Sequence, residues 1–283
     1  MSEVPREVPR TPPAKAVLRL VQMAVLDRWR ATGEDLYREV AQLADMQEGQ
    51  EVIVAGSGRG VTTEWLATRT GASVTGIDSD PEDVERAEES ARSETAAALH
   101  LSYQQGPLDD LPYESNVFDV AIGEPELAAV ANPEAAVAEL VRVTKPMGAV
   151  VLLQLTWSSE LRESARELVV ERLGLRPRML MEWKQMLRDA GVVDIQVDDW
   201  TDECDEELAD DEDGVRPQLN WQDKMQIVGN AFRRSGWKEA RAALARETEL
   251  LRELSRERSM GFAIIKGVKW PHRAAAGASG TDG

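Results

Sequence analysis

Apolar residues along this chain come in short runs separated by amphipathic stretches. The segments EVIVAG (51–56), SVTGID (73–78), LHLSYQQG (99–106), VFDVAIG (117–123) and AVVLLQLTW (149–157) each read as a strand. Between them, residues 61–71, 81–98 and 133–144 repeat their apolar positions at helical spacing. Asp80, Pro81 and Asp83 fit the N-cap, first and third positions of a helix, and Gly71 closes an earlier one. KPMG reads as a turn leading into the fifth strand. Near-continuous apolar strands alternating with helices indicate an α/β fold with a doubly wound parallel sheet, covered on both faces.

The pattern changes after the fifth strand. Residues 180–191 read as a helix, 192–200 as a strand, 221–258 as largely helical and 261–270 as a final strand. Ahead of the first strand, Val17, Leu18, Leu20, Val21, Val25 and Leu26 form an apolar stripe at helical spacing. The expected organisation is a disordered arm (1–13), a helical cap (14–45), a core (46–202), an acidic loop and helical lid (203–260), the last core strand (261–270) and a flexible tail (271–283).

Charge and composition narrow the function. The net charge is −18, and residues 198–213 hold 11 acidic and no basic residues. Nucleic-acid binders present a basic face, so DNA and RNA are not expected partners. The acidic run reads as a solvated loop, with contact to a basic protein partner as the alternative. Cys204 is the single cysteine and His100 and His272 the two histidines, so no disulfide framework and no Cys- or His-based metal site is expected. No run is long and apolar enough for a membrane span, and the proline-rich start has no signal-peptide core, so the expected location is the cytoplasm. Trp183, Trp200, Trp221, Trp237 and Trp270 crowd the C-terminal third, where core and lid packing is favoured over an aromatic-walled pocket.

The first strand runs into AGSGRG, with Gly56, Gly58 and Gly60 at alternate positions. Bare backbone there lets a ligand approach the carboxyl end of a strand, and the next helix presents its N-terminus to it. The spacing is not the G-x-G-x-x-G of dinucleotide folds, which disfavours a nicotinamide dehydrogenase. Asp78 ends the second strand, where a carboxylate can accept from a ribose diol. Such a ligand is of nucleoside type.

VIVAGSGRG, VTGIDSDP, GPLDDLPYESNVFDVAIG, NPEAAVAELVRVTKPMGAVVLL and WKQMLRDAGVVDIQV resemble, in series, the motifs of class I S-adenosylmethionine-dependent methyltransferases. The resemblance is to the branch acting on small molecules and on quinone and sterol precursors. It implies a Rossmann-like seven-stranded sheet with an antiparallel last strand, and a helical lid before that strand. It implies S-adenosylmethionine over Gly56, Ser57, Gly58 and Gly60, with Asp78 and Ser79 at the ribose and Leu108 and Asp109 near the adenine. The acceptor it implies is a small, apolar or amphipathic molecule.

The chain departs from that family at several places. Val54 and Ala55 stand where an acid normally precedes the first glycine. Gly106, Pro107 and Leu108 replace Gly-Asp-Ala, and Leu127, Ala128 and Ala129 replace a Leu-His-His stretch. Met147 replaces a glycine in KPMG. Glu124, beyond the fourth strand, is a candidate to compensate, as are Asp109 and Asp110. If each lost contact costs about 1–2 kcal/mol, cofactor binding with a Kd of roughly 10–100 µM is expected. No catalytic residue is legible, and methyl transfer needs a base only when the acceptor must lose a proton. A second reading stays open: a catalytically degenerate methyltransferase fold serving as a binding or assembly subunit.

Overall fold

The computed structural model describes residues 34–92, 99–159, 161–174, 176–199, 221–238, 240–243 and 259–271, with Ala245 and Leu254. The arm, the whole N-terminal stripe, the acidic run beyond Asp199 and most of the tail lie outside these residues.

All seven expected strands are present: β1 (Glu51–Ala55), β2 (Ser73–Asp78), β3 (Leu101–Gln105), β4 (Phe118–Gly123), β5 (Thr144–Trp157), β6 (Val192–Asp199) and β7 (Met260–Lys269). They form one sheet in the order β3-β2-β1-β4-β5-β7-β6. The pairs within β1 to β5 are parallel, and β7 runs antiparallel to both β5 and β6. The direction of strand succession reverses between β1 and β4, which opens a crevice beyond their carboxyl ends.

Strand alternation sends side chains to two apolar layers. Val52 and Val54 of β1 join a cluster with Leu36, Tyr37 and Leu66. Ile53 and Ala55 join the opposite one with Leu140, Trp183 and Leu187. The helices are α1 (Glu34–Leu43), α2 (Val61–Thr70), α3 (Pro81–Ala91), α4 (Pro133–Val143), α5 (Glu163–Leu173), α6 (Leu180–Asp189) and α7 (Trp221–Ser235), and all but α3 supply residues to these two clusters. Each large apolar side chain fully buried this way contributes about 1.5–3 kcal/mol. Trp183 is a core residue, as favoured, whereas Trp237 and Trp270 are exposed.

Helix starts follow the expected chemistry. Asp80 accepts from the Glu82 amide at 2.9 Å, with Pro81 in the first turn of α3. Asn132 accepts from the Ala135 amide at 3.0 Å and starts α4. Gly71 adopts φ +71 and closes α2.

Three features differ from expectation. Helix α3 ends at Ala91, short of residue 98, and residues 93–98 lie outside the described set. Helix α5 was not anticipated, because its apolar residues form no clear stripe along ESARELVVERL. KPMG is not a turn ahead of the strand but an irregular stretch within it. Phe118 pairs with Thr144 and Val120 with Ala149, so β5 carries extra residues there, and Met147 takes a left-handed φ of +65.

Candidate ligand site at the carboxyl edge of the sheet

Beyond Ala55 the chain turns sharply. The Gly56 and Ser57 amides both donate to the Ile77 carbonyl, at 2.8 and 3.2 Å, and the Gly60 amide donates to the Ser57 carbonyl at 3.0 Å. The three glycines have φ of +79, +51 and +84. They do not share one purpose. A Cβ on Gly56 would lie 2.9 Å from Glu126 Cβ, and one on Gly60 would lie 2.8 Å from Tyr103 Cζ. A Cβ on Gly58 would meet nothing within 4 Å. Two of the glycines therefore admit the protein's own side chains, and Gly58 alone among them faces open space.

Asp78 is buried and fixes this turn. Its Oδ2 accepts from the Gly58 amide and its Oδ1 from the Asp80 amide, both at 2.9 Å. One carboxylate thus holds the glycine turn and the start of α3 together. Ser79 is exposed, and its carbonyl lies 3.5 Å from Gln105 Nε2. Ser57 is 5% exposed, and its Oγ has no hydrogen-bond partner.

Several supporting side chains were not foreseen. Arg59 is buried and its Nε donates to Asp83 Oδ1 at 3.1 Å, tying the turn to α3. Tyr103 of β3 lies beside Gly60, with its hydroxyl 2.8 Å from Thr63 Oγ1. Thr63 in turn donates to the Gly60 carbonyl at 2.7 Å. Burial pushes the Tyr103 phenol up to about 12, opposed by the Thr63 bond and aided by the charge of Glu64. It therefore stays a neutral hydroxyl at ordinary pH.

Glu124 stands at the end of β4 and is 2% exposed. Its amide donates to the Ala55 carbonyl at 2.9 Å, so it spans the crevice between β1 and β4. Its Oε1 accepts from Thr62 Oγ1 at 2.8 Å, and Thr62 Oγ1 is 3.0 Å from the Tyr37 hydroxyl. Thr62 Oγ1 is the donor in both contacts, so its one proton is shared between Glu124 and the Tyr37 hydroxyl, with the shorter contact to Glu124. Gln154 of β5, also unforeseen, is fully buried, and its Nε2 donates to the Gly123 and Glu124 carbonyls at 3.2 and 2.8 Å. Gln154 Oε1 has no hydrogen-bond partner.

The substituted positions are apolar for packing reasons. Val54 is fully buried, and Leu127 and Ala128 belong to the core, in a short 3-10 turn at Pro125–Ala129. Leu108 is buried in the same cluster as Ala55 and Ile77, and Asp109 follows half-buried. Asp110 is exposed, and its charge acts on Arg142 of α4, away from the turn.

Two hollows stand out among the described residues. One of about 160 Å³ opens at the carboxyl ends of β5 and β6, where β7 begins. Trp157, Leu180, Val197 and Met260 line it, with Ser158 and Asp199. Trp157 Nε1 is buried without a hydrogen-bond partner. The other, about 410 Å³, lies between the C-terminal halves of α1 and α2, on the opposite edge from the glycine turn. Among the described residues no helix is long and apolar enough to cross a membrane.

Comparison with known proteins places this geometry. Residues 53–152 match the family model described as a methyltransferase domain. The chain is 23% identical over 241 residues to phosphoethanolamine N-methyltransferase 3 of Arabidopsis thaliana, covering 83% of this chain and 46% of that protein. It thus spans about half the length of this curated relative. A solved structure of Haemonchus contortus phosphoethanolamine N-methyltransferase 2 in complex with S-adenosyl-L-methionine superposes with a TM-score of 0.67 at 19% identity, covering 84% of this chain and 53% of that one. The [4+2]-cyclase SpnF superposes at 0.64 with 17% identity, covering 94% of this chain and 99% of that one. These two structural likenesses carry the fold.

Proposed function

On the match of residues 53–152 to a methyltransferase domain, we propose that the chain is a class I S-adenosylmethionine-dependent methyltransferase that binds S-adenosylmethionine and methylates a small, apolar or amphipathic molecule. The observation that carries the reading is the turn at Gly58, open to solvent and fixed by a buried Asp78 at the point where strand succession reverses. Switch-point crevices of this kind are where open α/β sheets take their ligands.

The residues present fit the cofactor. Gly56, Ser57, Gly58 and Gly60 form the cradle, and a Cβ at Gly58 would fill it. Asp78 and Ser79 serve the ribose, Leu108 and Asp109 flank the adenine, and Glu124 stands at the amino-acid end. Bound there, the cofactor supplies a methyl group activated on a sulfonium sulfur. The protein's part is alignment and exclusion of water, which supply most of the acceleration in such a displacement. The hollow lined by Trp157, Leu180, Val197 and Met260 suits an apolar acceptor body, and the unpartnered Trp157 Nε1 suits an acceptor oxygen at its edge.

The test is calorimetric titration with S-adenosylmethionine and S-adenosylhomocysteine, on the parent and on Gly58→Val. The parent is expected to bind in the micromolar range, and the variant to lose binding by more than 100-fold while remaining folded. Equal binding by both would place the site elsewhere. A second reading, a fold that binds the cofactor without methylating, draws on the apolar replacements at Val54 and Leu127–Ala129 and on the likeness to a cyclase. It predicts cofactor binding with no methyl release across a panel of small acceptors.

A further inference from the structure

Beta-strand 1 offers no carboxylate to a ligand's ammonium group, because Val54 is fully buried in the same apolar cluster as Leu36 and Leu66. An acid substituted there would lie in hydrocarbon surroundings, where an ionised carboxylate is strongly disfavoured. Yet the crevice has a buried carboxylate of its own. Glu124 sits one strand over, and its Cβ would lie 3.4 Å from a Cβ on Gly56, so it borders the first residue of the glycine turn.

The surroundings of Glu124 fix where its charge points. Gln154 pins its carbonyl at 2.8 Å and the Ala55 carbonyl holds its amide at 2.9 Å, so the backbone is clamped on both sides. Thr62 holds Oε1 at 2.8 Å, and Tyr37 holds Thr62 at 3.0 Å. Thr62 is 1% and Tyr37 1% exposed, so neither hydroxyl is free to exchange its partner for bulk water. Thr62 is the donor in both of these contacts, and the one to Glu124 is the shorter. Three elements that are distant in sequence, α1, α2 and the end of β4, are thereby joined at one carboxylate.

We propose that Glu124, aimed by Thr62 and Tyr37, receives the ammonium group at the amino-acid end of the adenosyl ligand, the task that an acid on β1 would otherwise perform. The proposal rests on the reading of this crevice as the S-adenosylmethionine site. Thr62 and Tyr37 are positioning residues: Thr62 touches the carboxylate, and Tyr37 touches Thr62. Because Tyr37 belongs to α1, the seating of that helix and the grip on the ammonium are linked.

The test compares two probes that differ in the group at issue. S-adenosylhomocysteine carries the amino-acid end, and 5′-methylthioadenosine has the adenosyl half without it. Dissociation constants for both are measured by calorimetry on the full chain and on Glu124→Gln, Thr62→Val, Thr62→Ser and Tyr37→Phe. Glu124→Gln is expected to weaken S-adenosylhomocysteine by about 10- to 100-fold, the usual worth of a charge-assisted contact, and to leave 5′-methylthioadenosine within about twofold. Thr62→Val is expected to weaken S-adenosylhomocysteine several-fold and Thr62→Ser to restore it, since the hydroxyl and not the methyl group aims the carboxylate. Tyr37→Phe removes a competing acceptor of the Thr62 proton and is expected to change affinity for S-adenosylhomocysteine by less than Thr62→Val does.

A merely structural role would weaken both probes alike, and that outcome overturns the proposal. So does unchanged affinity for S-adenosylhomocysteine in Glu124→Gln. If the glutamine variant does not fold, the valine–serine pair at Thr62 decides the matter by the same split between probes. Binding of 5′-methylthioadenosine by the parent with no split in any variant removes Glu124 from the ammonium site but leaves the adenosyl site standing. Binding of neither probe by the parent removes both readings.

Discussion

At the amino edge of the sheet, charged side chains end on the protein's own main chain, whereas at the carboxyl edge they end on a turn that leaves Gly58 open. Lys269 Nζ donates to Asn116 Oδ1, the Arg142 carbonyl and the Thr144 carbonyl at 2.8, 3.1 and 2.7 Å. Arg142 reaches the Tyr113 and Leu111 carbonyls at 2.8 and 3.0 Å and pairs with Glu139. Lys145 pairs with Asp119 at 2.9 Å, and Asp119 also accepts from the Glu51 amide. Apart from the buried Tyr113 hydroxyl, which has no hydrogen-bond partner, the charged groups at this end of β4, β5 and β7 complete one another. At the carboxyl edge the buried Ser57 Oγ, Gln154 Oε1 and Trp157 Nε1 have no hydrogen-bond partner. Unsatisfied buried polar groups are costly, and those at this edge face the crevice, while others sit in the helical layers at Trp65 and Trp183. Polarity alone does not distinguish the edges; the difference lies in whether the groups complete one another.

The largest expected effect separates two glycines of the same turn. Gly60→Ala places a Cβ against the Tyr103 phenol and forces an alanine into φ +84. A loss of roughly 3 kcal/mol is expected, combining left-handed strain with overpacking. Gly58→Ala meets no atom within 4 Å, so only the strain of φ +51 remains, about 1 kcal/mol. Urea unfolding of both variants gives the ranking. Equal losses would mean that Tyr103 yields freely and that the turn is not clamped from β3.

The second effect depends on pH. The folded-state phenol of Tyr103 stands at about 12, above its ordinary value of 10.0, because burial disfavours the phenolate. Its contribution is therefore fully present below pH 10 and is lost as the pH rises toward 12. A shift of that size corresponds to about 2–3 kcal/mol. Subtracting the pH profile of Tyr103→Phe from that of the parent, by urea unfolding between pH 9 and 12, isolates it. Parallel profiles would show that the hydroxyl ionises as readily in the folded chain as in the unfolded one.

At the closed edge, Lys269→Met retains the aliphatic stem but withdraws three donated hydrogen bonds. Burial and then the nearby Arg142 charge already pull this ammonium below the ordinary lysine range, so part of its worth is offset. A loss of about 2 kcal/mol is expected, with affinity for S-adenosylhomocysteine unchanged within about twofold. A large loss of affinity would mean that the two edges are coupled through β4 and β5, and the contrast drawn between them would fail.

How far the sequence revealed these edges follows from the range of each interaction. The strands were legible because Val52–Ala55 and Val150–Leu153 are buried on both faces and so read as apolar runs. The glycine turn and Asp78 were legible because a left-handed backbone and a strand-end carboxylate restrict the residue type locally. Helix α5 was not, since Leu168, Val169 and Val170 in succession blur any stripe. Tyr103, Arg59 and Gln154 were not, because each meets a partner 24 to 40 residues away whose position is set by strand register. Thr62 and Glu124 are 62 residues apart and meet only because β1 and β4 are neighbours in the sheet. A local pattern cannot carry that information, so the supporting half of the site came from the fold.

The smallest effect tests whether the closed edge is also an optimised one. Met147 holds φ +65 in the irregular part of β5 and is 61% exposed, so its side chain contributes little packing. Gly148 beside it has ordinary φ, but a Cβ there would lie 2.6 Å from the Asp119 carbonyl. The two positions thus need opposite things: space at 148 and conformational freedom at 147. Met147→Gly relieves left-handed strain of about 1–2 kcal/mol but returns about 0.5–1 kcal/mol of backbone entropy to the unfolded chain. A net gain of roughly 0.5 kcal/mol is expected, against a clear loss for Gly148→Ala. Thermal unfolding should therefore raise the Tm of the first variant by a degree or two and lower that of the second. A lowered Tm for Met147→Gly would mean that the exposed methionine is held by contacts which outweigh its strain, and the amino edge would then be better packed than its open surface suggests.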